Sequence, residues 1–156
     1  MEEPIYTDAN RRGTLVVLRI IWLALIVGQV TFGAVVLYQA KTGQAGGQSQ
    51  LAGQMLAIAV AILIGAVGIG YFARNQSYKK HWRGNAVTPP GLFQGNLILL
   101  AALEGSSFAT LVFVMVTGQV FPMILPAVAS LAIQFANFPS AIPMRDNPPD
   151  FPPGSP

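Results

Sequence analysis

Four long apolar stretches, each close to the length of a membrane span, dominate this chain. They lie at about residues 15–38, 51–72, 92–116 and 120–138, and a helix needs about 20 mostly apolar residues to cross the hydrocarbon of a bilayer. Apolar residues make up 53% of the sequence and charged residues only 10%, whereas soluble domains carry about 25% charged residues. The sequence therefore predicts an all-α polytopic membrane protein, a bundle of four transmembrane helices over residues 15–138.

The composition also excludes several kinds of chemistry. The chain has no cysteine and one histidine, His81, which excludes a disulfide framework, a thiolate metal site and a histidine cluster for zinc. Ser106 and Ser107 have no histidine at a comparable depth in the membrane, so no nucleophile and base are paired. We therefore expect a protein that is not an enzyme and that carries no cofactor and no metal.

The basic residues predict how the chain is oriented. Eight of the nine fall on one side of the predicted spans, and only Lys41 falls on the other. The eight are Arg11, Arg12, Arg19, Arg74, Lys79, Lys80, Arg83 and Arg145. Because cytoplasmic loops are enriched in Lys and Arg, both termini are predicted to face the cytoplasm, in the bacterial cytoplasmic (inner) membrane. This bias also accounts for the net charge of +3 without a nucleic-acid partner.

The two ends of the chain are predicted to lie outside the bilayer. Residues 1–14 form a cytoplasmic segment, and we expect the first span to be retained rather than cleaved, because it is longer than the apolar region of a signal peptide and acidic residues precede it. Residues 139–156 form a cytoplasmic tail that holds seven of the twelve prolines. Such a tail is expected to be extended or disordered.

Small residues recur at helical spacing in the second and third spans. Helices in lipid associate through close packing of small side chains, so these two small-residue stripes are interpreted as the packing seam of the bundle, with a ligand groove as the alternative. The first stripe is Ala57, Ala61 and Gly65, and the second is Ala101, Gly105 and Ala109.

Glu104 lies near the middle of the third predicted span. An ionised carboxylate there costs about 2.5–3.5 kcal/mol on insertion scales, so the side chain is expected to stay protonated or to find a partner, and to face the interior of the bundle. Gln29 lies at a similar depth on the first span and Ser107 one turn away, and both are candidate partners. One interpretation makes Glu104 an internal polar tie between helices; the other makes it an ion-carrying group whose access path Gln29, Thr31 and Ser107 line.

The segment between the second and third spans alternates basic and aromatic side chains. Four of these side chains are expected to contact anionic lipid headgroups or a protein partner: Lys79, Lys80, Trp82 and Arg83. The alternative is that they act only as a topology signal.

Three segments of the chain resemble a family of uncharacterised bacterial four-pass membrane proteins. They are residues 99–108, Leu18 to Trp22 and Asn137 to Ser140. In that family an L-x-E-G motif lies in the third span and an F-P-[ST] motif follows the fourth; this chain has Ala102-Leu103-Glu104-Gly105 and Phe138-Pro139-Ser140 at those places. The resemblance covers about residues 15–140 and implies a fold, not an activity.

The helix that carries Glu104 also resembles the second helix of the proteolipid c subunit of rotary ATP synthases. In that subunit a single midplane carboxyl lies on a helical hairpin with a cytoplasmic loop. The chain departs from it in several ways: it lacks the dense glycine run and the Arg-Gln-Pro loop, and it has two additional spans. This resemblance implies a proton- or cation-carrying role for Glu104.

The leading hypothesis is a non-enzymatic accessory or scaffold subunit that lies in the lipid bilayer and binds a larger membrane protein or further copies of itself. The rival is a proton- or cation-translocating module that uses Glu104. A third is a lipid-binding protein that works through the basic-aromatic segment.

Overall fold

Helices account for most of the protein in this computed structural model, which describes residues 8–83 and 86–144. The helices are α1 (Asp8–Lys41), α2 (Ala52–Lys80), α3 (Pro89–Thr117) and α4 (Leu125–Ala136). The predicted helical fold is confirmed. Helix α1 begins well before the predicted first span, and α2 continues about two turns beyond the predicted end of the second.

The shorter elements lie between and after the helices. Two-residue strands β1 (Trp82–Arg83) and β2 (Ala86–Val87) pair antiparallel between α2 and α3, with Trp82 opposite Val87. Single 3₁₀ turns precede α2 (Ser49–Leu51) and follow α4 (Ile142–Met144). The hairpin was not anticipated from the sequence, which predicted a basic loop there.

Three of the helices are long and apolar enough to cross a membrane: Ala9–Lys41, Ser49–Lys80 and Pro89–Thr117, of 33, 32 and 29 residues. At about 1.5 Å per residue each is longer than the roughly 30 Å of hydrocarbon. Helix α4 has only 12 residues, about 18 Å. The predicted fourth span is therefore this short helix with turns at residues 121–124 before it.

Helix α3 lies at the centre of the bundle and is the most buried of the three long helices. Helix α1 runs parallel to α3, because Leu18 shares a buried cluster with Leu92 and Val36 shares another with Val114. Helices α2 and α4 run antiparallel to α3. The four helices therefore alternate in direction, and α1 and α3 begin where α2 and α4 end.

The end of the bundle where α1 begins, called here the basic end, carries the basic residues of the described chain except Lys41. A buried cluster there joins Leu18, Tyr78, Leu92 and Met144. Pro139 and Met144 are buried and Ile142–Met144 forms a 3₁₀ turn, so the described part of the predicted tail contacts the bundle, whereas the prolines predict an extended or disordered segment. The rest of that tail, residues 145–156, lies outside the described residues.

The outward-facing side chains of the long helices are largely apolar. Ile20 and Leu23 on α1 and Ile64, Ile69 and Phe72 on α2 are all more than half exposed. A soluble monomer rarely exposes a continuous apolar surface of this kind. Together with the three long apolar helices, this surface suits integration in a membrane.

Candidate functional site

Glu104 lies one residue past the midpoint of α3 and is partly exposed. Its neighbours at helical spacing on the outward side, Leu97, Ala101, Gly105 and Val112, are exposed. We call these five residues the outer face of α3. No hydrogen bond or ion pair joins Glu104 to another residue of the described chain. The expectation that Glu104 faces the interior of the bundle is therefore wrong, because the turn of α3 presents Leu103 and Ser107 to the interior instead.

The interior of the bundle holds a pair of glutamine amides instead of a carboxyl. Gln29 Nε2 on α1 donates to Gln134 Oε1 on α4 at 2.9 Å, and the two residues are 3% and 0% exposed. Trp22 Nε1 donates to the backbone carbonyl of Gln134 at 3.0 Å, and Ser130 Oγ donates to the backbone carbonyl of Leu103 at 2.6 Å. These bonds join α4 to both α1 and α3.

Of the residues expected around Glu104, none is hydrogen-bonded to it in the described structure. Gln29 bonds Gln134, Ser107 is buried, and Thr31 is exposed on the outer side of α1. The expected tie between Gln29 and Glu104 is replaced because α4 brings its own amide to Gln29. Gln134 was missed, although it is the only amide between residues 120 and 136, and that isolation in an apolar stretch was the available signal.

The amide pair makes a testable prediction about stability. Gln29 Oε1 and Gln134 Nε2 are buried without a partner among the described residues, so the pair satisfies only half of its polar atoms. Gln134→Leu is expected to lower the free energy of unfolding by about 1 kcal/mol, because Gln29 Nε2 loses its acceptor. The double variant Gln29→Leu/Gln134→Leu is expected to recover most of that loss.

Thermal melting in detergent measures the effect. Gln54→Leu, at an exposed position of α2, is the control for adding a leucine. A double variant that melts below Gln134→Leu would contradict this account of the amide pair.

The two small-residue stripes lie away from the contact between α2 and α3. Ala57, Ala61, Ala101 and Gly105 are exposed, and Gly65 and Ala109 are only partly buried. A Cβ added at Gly65 or Gly105 would meet nothing within 4 Å. The prediction that these stripes form the packing seam is therefore wrong, because spacing identifies a smooth face without saying what the face meets.

The seam between α2 and α3 is built on other glycines, closer to the basic end. A Cβ at Gly95 would lie 2.7 Å from Tyr78 Cε1, one at Gly70 would lie 2.9 Å from Leu99 Cδ1, and one at Gly91 would overlap His81 Cβ. Gly91 and Gly95 form a G-x-x-x-G pattern, which is typical of close helix contacts in membranes. That pattern was present in the sequence and was overlooked.

The basic-aromatic segment is partly helical. Lys79 and Lys80 are exposed in the last turn of α2, Trp82 is half-buried in β1, and Arg83 is exposed beside it. They all lie at the basic end. Across the residues that the structure describes, no group of three His, Asp or Glu side chains is placed to hold a metal ion.

No protein-family model, curated protein or solved structure matches this chain. The two resemblances drawn from short motifs therefore stay predictions. In the first of them, Ala102 stands where the L-x-E-G motif has leucine, so the chain shares only the glutamate and the glycine of that motif.

Proposed function

We propose that this chain is a non-enzymatic accessory subunit of a larger complex in the bacterial cytoplasmic membrane, and that it docks through the outer face of α3. The observation that carries the proposal is the position of Glu104. The carboxyl lies at mid-helix on the outside of the bundle and has no partner within the described chain.

The proposed topology has four spans with both termini in the cytoplasm. Residues 120–138 cross as the fourth span, α4 and its flanking turns together. In support, Met123 packs beside Val36 and Val114, while at the other end of this segment Arg19 Nε donates to the Pro139 carbonyl at 3.4 Å. The concentration of basic residues at that second end supports a cytoplasmic location for it.

The energetic argument for a partner is that lipid cannot satisfy Glu104. A charged carboxylate at the bilayer centre costs about 2.5–3.5 kcal/mol on insertion scales, and intramembrane acids pair with other groups. A protonated carboxyl also retains a donor and acceptors that hydrocarbon leaves unsatisfied. Because no described residue of the bundle partners Glu104, we assign the missing group to another molecule.

The surroundings of Glu104 suit a transmembrane helix as that partner. Ala101 and Gly105 flank the carboxyl with almost no side-chain bulk, so a second backbone can approach closely enough for its side chain to reach Glu104. We assign the face to a helix of a different protein that carries a basic or hydrogen-bond-donating residue. A second copy of this chain would bring a second carboxyl against the first, which is unfavourable when both are ionised.

Site-specific photo-crosslinking in native membranes tests the proposal. A photoactivatable residue at position 101 is expected to give one adduct with a different protein. The same residue at position 64, which is exposed near the middle of α2, is the matched control and is expected to give no such adduct. The adduct from position 101 should survive Glu104→Gln, which keeps hydrogen-bonding capacity, and should fall at least about tenfold with Glu104→Leu.

Three results would overturn this assignment. An adduct with a second copy of the chain would make the protein a homo-oligomer. Equal adducts from positions 64 and 101 would indicate random collisions in the membrane. An adduct that is unchanged by Glu104→Leu would remove the carboxyl from the contact.

The outward position of Glu104 also favours one alternative function, a proton- or cation-translocating module. A titrating carboxyl on the outside of a bundle can exchange its ion with a second subunit that supplies the aqueous path. If the carboxyl translocates an ion, a carboxyl-modifying reagent can reach it in native membranes. If it is covered by a docked helix, the reagent cannot reach it there, so carbodiimide labelling separates the two functions.

A further inference from the structure

A cavity of about 650 Å³ lies at the basic end, between the end of α2, the first turns of α3 and the segment that follows α4. Polar side chains from all three elements line it: Arg74 and Lys79 from α2, Asn96 from α3, and Asn137 from the segment after α4. Phe72 and Phe138 also line it. The cavity therefore combines cations, neutral amides and an apolar margin.

Arg74 is a cation of this cavity that has no carboxylate partner among the described residues. Its Nη1 donates to Asn137 Oδ1 at 2.8 Å, and its guanidinium lies 4.6 Å from the centre of the Tyr71 ring. Its Nε is buried and has no hydrogen-bond partner among the described residues. The hydrogen bond and the ring hold the guanidinium in place while leaving donor capacity for a ligand.

Two neutral amides of the cavity, Asn96 and Asn137, are hydrogen-bonded to nearby tyrosine hydroxyls. Asn96 Nδ2 donates to the Tyr78 hydroxyl at 2.9 Å, and Asn137 Nδ2 donates to the Tyr71 hydroxyl at 2.6 Å. No carboxylate among the described side chains lines the cavity. The charge of Arg74, reinforced by the exposed Lys79, is therefore available to an anion.

The margin of the cavity is apolar and exposed. Phe72 is 65% exposed, Phe138 46% and Ile142 41%, and the apolar outer surface of α2 continues from Phe72 toward the middle of the helix through Ile69. A ligand that places a negative group beside Arg74 would find apolar surface next to it. This combination fits an amphiphile whose anion lies at headgroup depth.

We propose that this cavity binds the phosphate group of an anionic phospholipid. The phosphate oxygens accept from the planar guanidinium of Arg74, which suits phosphate geometry, and Lys79 adds a second cation at the rim. The acyl chains lie against Phe72 and the outer surface of α2. The site is separate from the outer face of α3 and does not depend on how that face is occupied.

Native mass spectrometry of the purified full-length protein in detergent tests the site with three probes: phosphatidylglycerol, phosphatidylcholine and inorganic phosphate. One phosphatidylglycerol is expected to be retained per chain. Phosphatidylcholine, whose net charge is zero, should bind more weakly, and inorganic phosphate should bind weakest because it lacks acyl chains.

Arg74→Gln is expected to weaken phosphatidylglycerol binding at least about tenfold, the effect of losing a charge-assisted hydrogen bond. Lys80→Gln, at a basic residue that does not line the cavity, should change it less than about twofold.

A second variant guards against the loss of Arg74 simply disturbing the fold. Asn137→Asp places a carboxylate where the Asn137 amide now meets Arg74, so it keeps that contact while neutralising the cation. It is expected to lower phosphatidylglycerol binding as much as Arg74→Gln does. Its melting temperature is expected to fall, because a carboxylate cannot donate to the Tyr71 hydroxyl or the Ile133 carbonyl as the Asn137 amide does, so binding is compared well below that temperature. Undiminished binding in both variants would overturn the site. Phosphate that competes as well as the lipid would assign the cavity to a free anion instead.

Discussion

Gly95→Ala is expected to destabilise the bundle by about 1–3 kcal/mol, the usual cost of adding a methyl group to a packed interior. The new Cβ would lie 2.7 Å from Tyr78 Cε1 and 3.1 Å from Arg74 Cγ. Tyr78 cannot move aside freely, because its ring is buried and its hydroxyl accepts from Asn96. The two helices would therefore have to separate at this contact.

Gly105→Ala and Gly65→Ala are the matched controls, and their expected sign is opposite. Both glycines lie inside helices with nothing within 4 Å of an added Cβ, so alanine adds no clash and gains up to about 1 kcal/mol of helix propensity. Thermal melting in detergent compares the three variants. Equal destabilisation by Gly95→Ala and Gly105→Ala would show that the seam is not where this structure places it.

The contrast between Gly95 and Gly105 shows which features of a membrane bundle its sequence patterns predict. Run length predicted the number of helices, because the thickness of the hydrocarbon sets the minimum length of a span. It did not predict where they end, since α1 begins seven residues before its predicted span and α2 ends eight residues after its own. Choosing between several small-residue faces requires knowing which face meets another helix. Ala57, Ala61 and Gly65 have the same spacing as a seam, yet they lie on the outside, so the neighbouring helices decide the contact and local spacing does not.

The polar interior was predictable only in part, for the same reason. Gln29 was recognised as an inward-facing polar residue of the first span, and it is buried. Its partner was misassigned because depth alone suggested Glu104, whereas the groove between α1 and α3 is occupied by α4 and its Gln134. A depth estimate fixes one coordinate of a side chain, and the direction in which it points depends on the rotation of each helix.

Glu104 is expected to react with an apolar carbodiimide in the detergent-purified protein and to be protected at least about tenfold in native membranes. The reagent modifies only a protonated carboxyl that it can reach. The partly exposed position of Glu104 makes it accessible once a docked helix has been removed, so modification of the purified protein should decline as the pH rises. Mass spectrometry of the peptide that contains residue 104 measures the extent of reaction.

Glu104→Gln is the control, because it removes the carboxyl and keeps the size of the side chain. The other acidic residues, Glu2, Glu3, Asp8, Asp146 and Asp150, lie toward the two ends of the chain, and separate peptides distinguish them from Glu104. Labelling in native membranes near neutral pH would contradict the docking proposal and favour ion translocation. Absence of labelling in both preparations would contradict the outward position of the side chain.

The bond between Gln29 and Gln134 spans 105 residues of sequence, so it forms only long after α1 has been synthesised. Translation proceeds at about 5–20 residues per second, so Gln29 waits roughly 5–20 seconds after its own synthesis before Gln134 exists. During that interval α1 lacks its amide partner, and α3, the helix against which it mainly packs, is also still being made. Helix α1 therefore gains its interior hydrogen bond to α4 only after α2, α3 and most of α4 have been synthesised.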